Sequence, residues 1–267
     1  MLDASGNIRS LSGYVDDIGG AVLSEPSLSM LRQLDTDSLP LVEGDVRLGP
    51  CVGNVGKFLC IGLNYADHAA ESGQDIPSEP EVFTKATSAI CGPNDNIVQP
   101  LHSEKLDWEV ELAVVIGEHA AYVSGEEAAA CIADYCVCND VSERLFQLEK
   151  GHQWDKGKGC DTFGPIGPWL VTRDEIADPP GLDMWLEVNG HRYQNGNTDK
   201  MVFGPAFIVS YLSHFMSLQP GDVITTGTPP GVGMGQKPPV YLQPGDRIEL
   251  GITSLGTQRQ TVVAYEA

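Results

Sequence analysis

The chain has 267 residues, 42% of them hydrophobic, which is enough to fill the core of one catalytic domain with a small appendage. With 37 Asp and Glu against 16 Lys and Arg its formal charge is −21, a field that argues against nucleic acid or an anionic membrane surface as a partner and leaves a small molecule in a locally charge-compensated cleft. Seven cysteines without a Cys-x-x-Cys spacing exclude a disulfide framework and imply reduced thiols, and no leader or apolar run of roughly 18 residues stands out, so a soluble, cytoplasmic protein is expected.

Residues 1–50 read as a small N-terminal subdomain of short apolar pieces and polar turns that closes at Gly49-Pro50 and carries no evident chemistry; residues 51–267 form the expected catalytic domain. Short extended segments follow at 58–62, 82–83, 109–116, 184–188, 222–226 and 247–252. Asn189-Gly190 and Asn195-Gly196 are hairpin signals, while Pro220-Gly221-Asp222 and Pro244-Gly245-Asp246 read as turns entering strands. Helix is local. Ser124 and Glu127 form a capping box ahead of a helix predicted over 128–135, and Ile208, Tyr211, Leu212 and Phe215 recur at helical spacing over 208–216. Thirty glycines and eighteen prolines suit a turn-rich, mainly β, mixed α/β fold.

The chemistry concentrates at Trp108-Glu109-Val110-Glu111-Leu112. On a strand Glu109 and Glu111 share one face and Val110, Leu112 and Val114 the other, so the two acids form either a solvent-facing edge or, if buried, a pair that a hard divalent cation would reconcile. Asp140 supplies a third carboxylate; such a trio suits Mg2+ or Mn2+ better than structural zinc, with Ca2+ also compatible. His68 and Glu71 are three residues apart, the spacing at which a helix lets a carboxylate orient an imidazole as a general base, and Gly73 and Pro77 border that element like the ends of a lid. Lys85, Arg144 and Lys158, the last in an expected loop, offer positive charge for a substrate carboxylate or a developing enolate. The segment 225–235 is neither a P-loop nor a dinucleotide fingerprint, but it could present backbone amides to an anion and the Thr228 hydroxyl to an oxygen.

Taken in order, these motifs resemble the fumarylacetoacetate hydrolase superfamily over residues 52–262. They are Ile61-Gly62-Leu63-Asn64-Tyr65 with His68 and Glu71, Phe83-Thr84-Lys85, Trp108-Glu109-Val110-Glu111-Leu112, Asn139-Asp140-Val141-Ser142-Glu143-Arg144, the 157–168 segment, Gln194 with Gly196-Asn197-Thr198, and the 226–233 loop. The resemblance implies a β-sandwich or roll with short helices that pairs as a homodimer. It implies metal ligation by Glu109, Glu111 and Asp140, water activation by His68 and Glu71, a lysine beside the metal at Lys158, and substrate contacts at Thr228, Lys85, Arg144 and Gln147. Two motifs depart from the commoner family pattern, Arg144-Leu145 in place of Arg-Asp and Lys158-Gly159 in place of Lys-Ser.

The similarity is greatest to bacterial hydrolases of 2,4-diketo-3-deoxy sugar acids and to ureidoglycolate lyases; other members decarboxylate or isomerise oxo-acids. The expected activity is metal-dependent hydrolysis of a C–C bond in a small anionic 2,4-dioxo acid, releasing pyruvate and a second carboxylic acid. A lyase, decarboxylase or isomerase, or a non-catalytic metal-binding protein, are the competing readings.

Overall fold

Strands that are apolar along their whole length, rather than alternately apolar and polar, must be buried on both faces. β6 (Val110–Ile116) and β7 (Ile132–Asn139) follow this pattern apart from Glu111, Asp134 and Asn139, with every residue buried, and they pair antiparallel at the centre of the molecule. In the computed structural model, which describes residues 1–67, 71, 75–176 and 181–266, they belong to a seven-stranded sheet. Its other strands are β1 (Phe58–Gly62), β2 (Glu81–Lys85), β3 (Ile90–Cys91), β9 (Gly164–Thr172) and β12 (Val223–Thr225), in the order β2-β1-β12-β6-β7-β9-β3. A five-stranded sheet, β11-β10-β13-β14-β4, uses β4 (Ile97–Gln99), β10 (Asp183–Val188), β11 (His191–Asn197), β13 (Arg247–Ile252) and β14 (Gly256–Ala264). A two-stranded ribbon pairs β5 (Leu106–Asp107) with β8 (Ser142–Glu143).

Two apolar clusters cover the two faces of β6. Val110, Leu112, Val114 and Ile116 join Met184, Leu186, Leu250 and Val262 of the five-stranded sheet. Ala113 and Val115 turn the other way, to Phe58, Cys136, Ile166 and Val223 and to Leu23, Leu28 and Leu31 of the N-terminal segment, the last two on α1 (Glu25–Arg32). The expected parity of the strand therefore holds, and Glu111 lies on the face of Ala113 and Val115. The architecture is the expected mixed α/β fold, a curled sheet with short helices and a small N-terminal piece. All seven cysteines are free. Among the described residues no helix is long and apolar enough to cross a membrane.

The capping box is present, with Ser124 receiving and returning hydrogen bonds at the start of α2 (Gly125–Cys131), but that helix stops before Ile132. Ile132 and Tyr135, expected on the helix, lie on β7, where pairing with β6 and β9 overrides the helical spacing. The second predicted helix is α5, displaced toward the N-terminus to Pro205–Ser213, with Pro at its start. Asn189 and Gly190, both at positive φ, turn β10 into β11 as expected. Asn195-Gly196 does not turn: both residues pair with β10, and a Cβ on Gly196 would fall 2.5 Å from Pro229, so this glycine admits a loop rather than a bend.

Within this core Asp134 on β7 is 1% exposed, and its Oδ2 has no hydrogen-bond partner among the described residues. Burial pushes its carboxyl up to about 7, with Arg32 pulling weakly the other way. A folded-state value above that of the unfolded chain means that stability is full below the ordinary carboxyl value, falls as the pH rises from there toward about 7, and levels off beyond it. The stability advantage of Asp134→Asn over the parent is therefore expected to grow by roughly 2–3 kcal/mol between about pH 5 and 8. Urea unfolding of both proteins across that range measures it, and a pH-independent difference would contradict the assignment.

Candidate active site

The register of β6 on β7 places the acidic residues. Val110 pairs with Asn139 and Glu111 with Cys138, and the Asp140 amide donates to the Glu109 carbonyl at 2.9 Å, so the end of one strand brings Asp140 beside the start of the other. Glu109, Glu111 and Asp140 are 6%, 2% and 0% exposed, and each offers an oxygen within 4.8 Å of the others. These are not the residues of a solvent-facing edge.

Cations close around them. Lys158, at the end of the short helix α4 (Asp155–Lys158) rather than in a loop, donates from Nζ to Glu109 Oε2 and Asp140 Oδ2, both at 2.7 Å. Lys85, the last residue of β2, lies behind Asp140 and donates to its Oδ1 at 2.5 Å and to the Val141 carbonyl at 3.0 Å. Arg144 opens α3 (Arg144–Glu149) and donates from Nη2 to Glu109 Oε1 at 2.6 Å, from Nε to Asp107 Oδ2 at 2.8 Å and from Nη1 to Gln147 Oε1 at 3.0 Å. Burial alone would lower the affinity of Lys158 and Arg144 for their protons; the facing carboxylates outweigh it and raise both.

Glu111 differs from its neighbours. Its Oε2 accepts the Gly227 amide at 2.8 Å, yet burial, followed by the charges of Asp140 and Glu109, holds its carboxyl well above the ordinary range. Three carboxylates at this separation, one of them poorly compensated, form an oxygen donor set that fits a hard divalent cation, which Glu109, Glu111 and Asp140 could hold. Arg144, Gln147, Lys158 and Thr228 line the same recess as Glu109 and Glu111.

The glycine-rich loop spends its amides on the chain's own acids. Gly227 serves Glu111, Gly231 donates to the Glu71 carboxylate at 3.1 Å, and Gly233 and Met234 donate to Asp107 at 2.6 and 3.0 Å. Thr228 is likewise engaged, donating to the Val110 carbonyl and accepting from Gln194 Nε2. Glu71 thus reaches the loop, whereas His68, its expected partner, lies outside the described residues.

The pattern of fumarylacetoacetate (FAA) hydrolase C-terminal matches residues 57–263. The chain belongs to this family. A relative from Burkholderia multivorans whose description goes no further than a hydrolase is 64% identical over 261 residues, 97% of this chain and 93% of the relative. Fumarylacetoacetate hydrolase from psychrophilic Exiguobacterium antarcticum is 34% identical and superposes with a TM-score of 0.84 over 99% of this chain and 94% of that one. Fumarylpyruvate hydrolase from Pseudomonas aeruginosa, solved with Mn2+ and pyruvate, is 30% identical with a TM-score of 0.73 over 84% of this chain and 99% of that one. Membership in the fumarylacetoacetate hydrolase family and the carboxylate cluster together support metal-dependent C–C cleavage chemistry in general.

Asp107 escaped the sequence reading. It is fully buried and accepts from the Trp108, Gly233 and Met234 amides and from Arg144, so one carboxylate ties the approach to β6, the glycine-rich loop and the guanidinium that holds Glu109. An acid set between Leu106 and Trp108 was its only signal. Asp107→Asn keeps the shape but cancels the charge facing Arg144, and is expected to lower stability by about 2–4 kcal/mol in urea unfolding. A loss below about 0.5 kcal/mol would show that Arg144 is held without it.

Proposed function

We propose that this protein hydrolyses a C–C bond in a small 2,4-dioxo acid, releasing pyruvate and a second carboxylic acid, and that the natural substrate is a 2,4-diketo-3-deoxy sugar acid. The observation that carries the reading is the buried trio Glu109, Glu111 and Asp140, of which Glu109 and Glu111 line a recess that also presents Lys158, Arg144 and Thr228. The sugar-acid tail follows from the resemblance of the motifs. The fumarylpyruvate hydrolase neighbour, solved with Mn2+ and pyruvate, supports pyruvate as one product.

In this reading Glu109, Glu111 and Asp140 hold a divalent ion, Mg2+ or Mn2+, which when bound supplies Lewis-acid compensation for charge on a substrate oxygen. Lys158, kept protonated by Asp140 and Glu109, is placed to share in neutralising negative charge as it moves from the breaking C–C bond onto oxygen. Arg144, braced by Asp107 and Gln147, fixes the Glu109 carboxylate. Gln147 and Thr228, which line the recess, are the proposed substrate-contacting residues, and Lys85, buried behind Asp140, is proposed to act through that carboxylate. His68 is the proposed general base, taking a proton from the water that adds to the distal carbonyl, with Glu71 orienting its ring; Glu71 is in turn fixed by the Gly231 amide. Homodimerisation is part of the same proposal.

Chelation is expected to abolish turnover while leaving the far-UV circular dichroism close to that of the untreated protein, because the ligands sit on a sheet with its own core. Full activity in a metal-free preparation would defeat the proposal. Glu111→Gln is expected to lose metal and pyruvate binding together, whereas His68→Ala retains both and loses about 10²–10⁴ in single-turnover cleavage. Metal stoichiometry, pyruvate affinity and product identity measured on the same preparations separate these roles, and carbon dioxide or an isomer in place of pyruvate plus a second acid would replace hydrolysis by decarboxylation or tautomerisation.

A further inference from the structure

We infer that the far end of the substrate is uncharged, so that the recess selects a monoacid and rejects a diacid. The inference rests on the reading that an oxo-acid head lies against Glu109, Glu111 and Asp140.

Beyond the polar floor the recess is walled by Leu63, Phe83, Leu148, Trp154 and Met234. Phe83 and Trp154 meet edge to face with centroids 5.4 Å apart, and the Phe83 ring lies 5.0 Å from Lys158 Nζ, so the wall begins where the cationic floor ends. Trp154 also closes on β1 at Gly62, where a Cβ would fall 2.8 Å from its ring, which fixes the indole against the sheet. Both cations that line the recess, Arg144 and Lys158, are bound to carboxylates of the chain.

A carboxylate at the far end of a substrate would therefore meet apolar walls, with no uncommitted cation among the described lining residues to replace the water it gives up.

The charge of the floor points the same way. The described cations beside the carboxylates, Lys85, Arg144 and Lys158, are each already paired with an acid of the chain, so that a divalent ion facing one substrate carboxylate leaves nothing to offset a second. A deoxy-sugar tail, uncharged and with C–H faces that can lie on Trp154 and Phe83, satisfies this constraint. A dicarboxylate does not.

Calorimetric titration of the protein in Mg2+ with pyruvate, 2-oxopentanoate and 2-oxoglutarate tests the inference by binding rather than turnover, the last two differing at the far end by a methyl against a carboxylate. 2-Oxopentanoate is expected to bind roughly tenfold or more tightly than 2-oxoglutarate. Leu148→Arg and Met234→Arg, each placing a cation in the wall, are expected to narrow or reverse that ratio in any variant that keeps parental circular dichroism and pyruvate binding. If pyruvate itself fails to bind the parent, the oxo-acid reading falls and the inference with it. If pyruvate binds but 2-oxoglutarate equals or exceeds 2-oxopentanoate, or if both arginine variants keep the parental ranking, the inference is overturned together with the sugar-acid tail, while metal-dependent cleavage of an oxo-acid stands.

Discussion

Holding carboxylates out of water beside one another is the constraint on which the centre of this molecule depends. The antiparallel register of β6 and β7 forces Glu109 and Asp140 together, and strand parity sends Glu111 to the same place. No arrangement of the sheet alone could pay for that proximity. The sequence answers with Lys85, Arg144 and Lys158, drawn from β2, α3 and α4, and each is itself buried and paired. Breaking any one pair leaves a charge stranded in a poorly solvated setting, a larger penalty than the net worth of the pair itself.

The pairing also explains why short elements suffice. α3 and α4 have six and four residues, too short to persist alone, yet each delivers a cation to the recess. Their termini are fixed by the ions they carry and by local bonds, including the Glu143 side chain accepting the Leu145 amide at 3.0 Å. Asp107 extends the same logic to a segment with no cation of its own, binding the glycine-rich loop through two amides while bracing Arg144.

Much of this was legible in the sequence, for identifiable reasons. Glu-x-Glu at the head of an apolar run reports strand parity, whereas the choice between a solvent-facing edge and a buried pair needed the structure. β1 and β13 were readable to the residue, the first as an apolar run and the second as an alternating segment entered from Pro244-Gly245-Asp246. Ile132 and Tyr135 misled because a capping box fixes where a helix begins and says nothing of where sheet pairing will end it. Asn195-Gly196 misled because a glycine needed for close approach to Pro229 has the same letter as one needed for a turn. The partners of the loop amides were beyond reach, since Asp107, Glu71 and Glu111 lie more than a hundred residues away along the chain.

Met234 combines two properties that few positions share: its amide is committed to Asp107, while its side chain faces the recess. Any residue except proline can supply that amide, so the backbone bond survives a change of side chain. The position can drift through mutation, reshaping the walls around a new compound, while the charge network beneath stays intact. The loop's length has no such freedom, because amides at 227, 231, 233 and 234 each answer to a different fixed acid or a different oxygen of one. Changes to this loop that spare its charge network are thereby confined to substitutions such as those at 234, since an insertion would displace several amides from their acids at once.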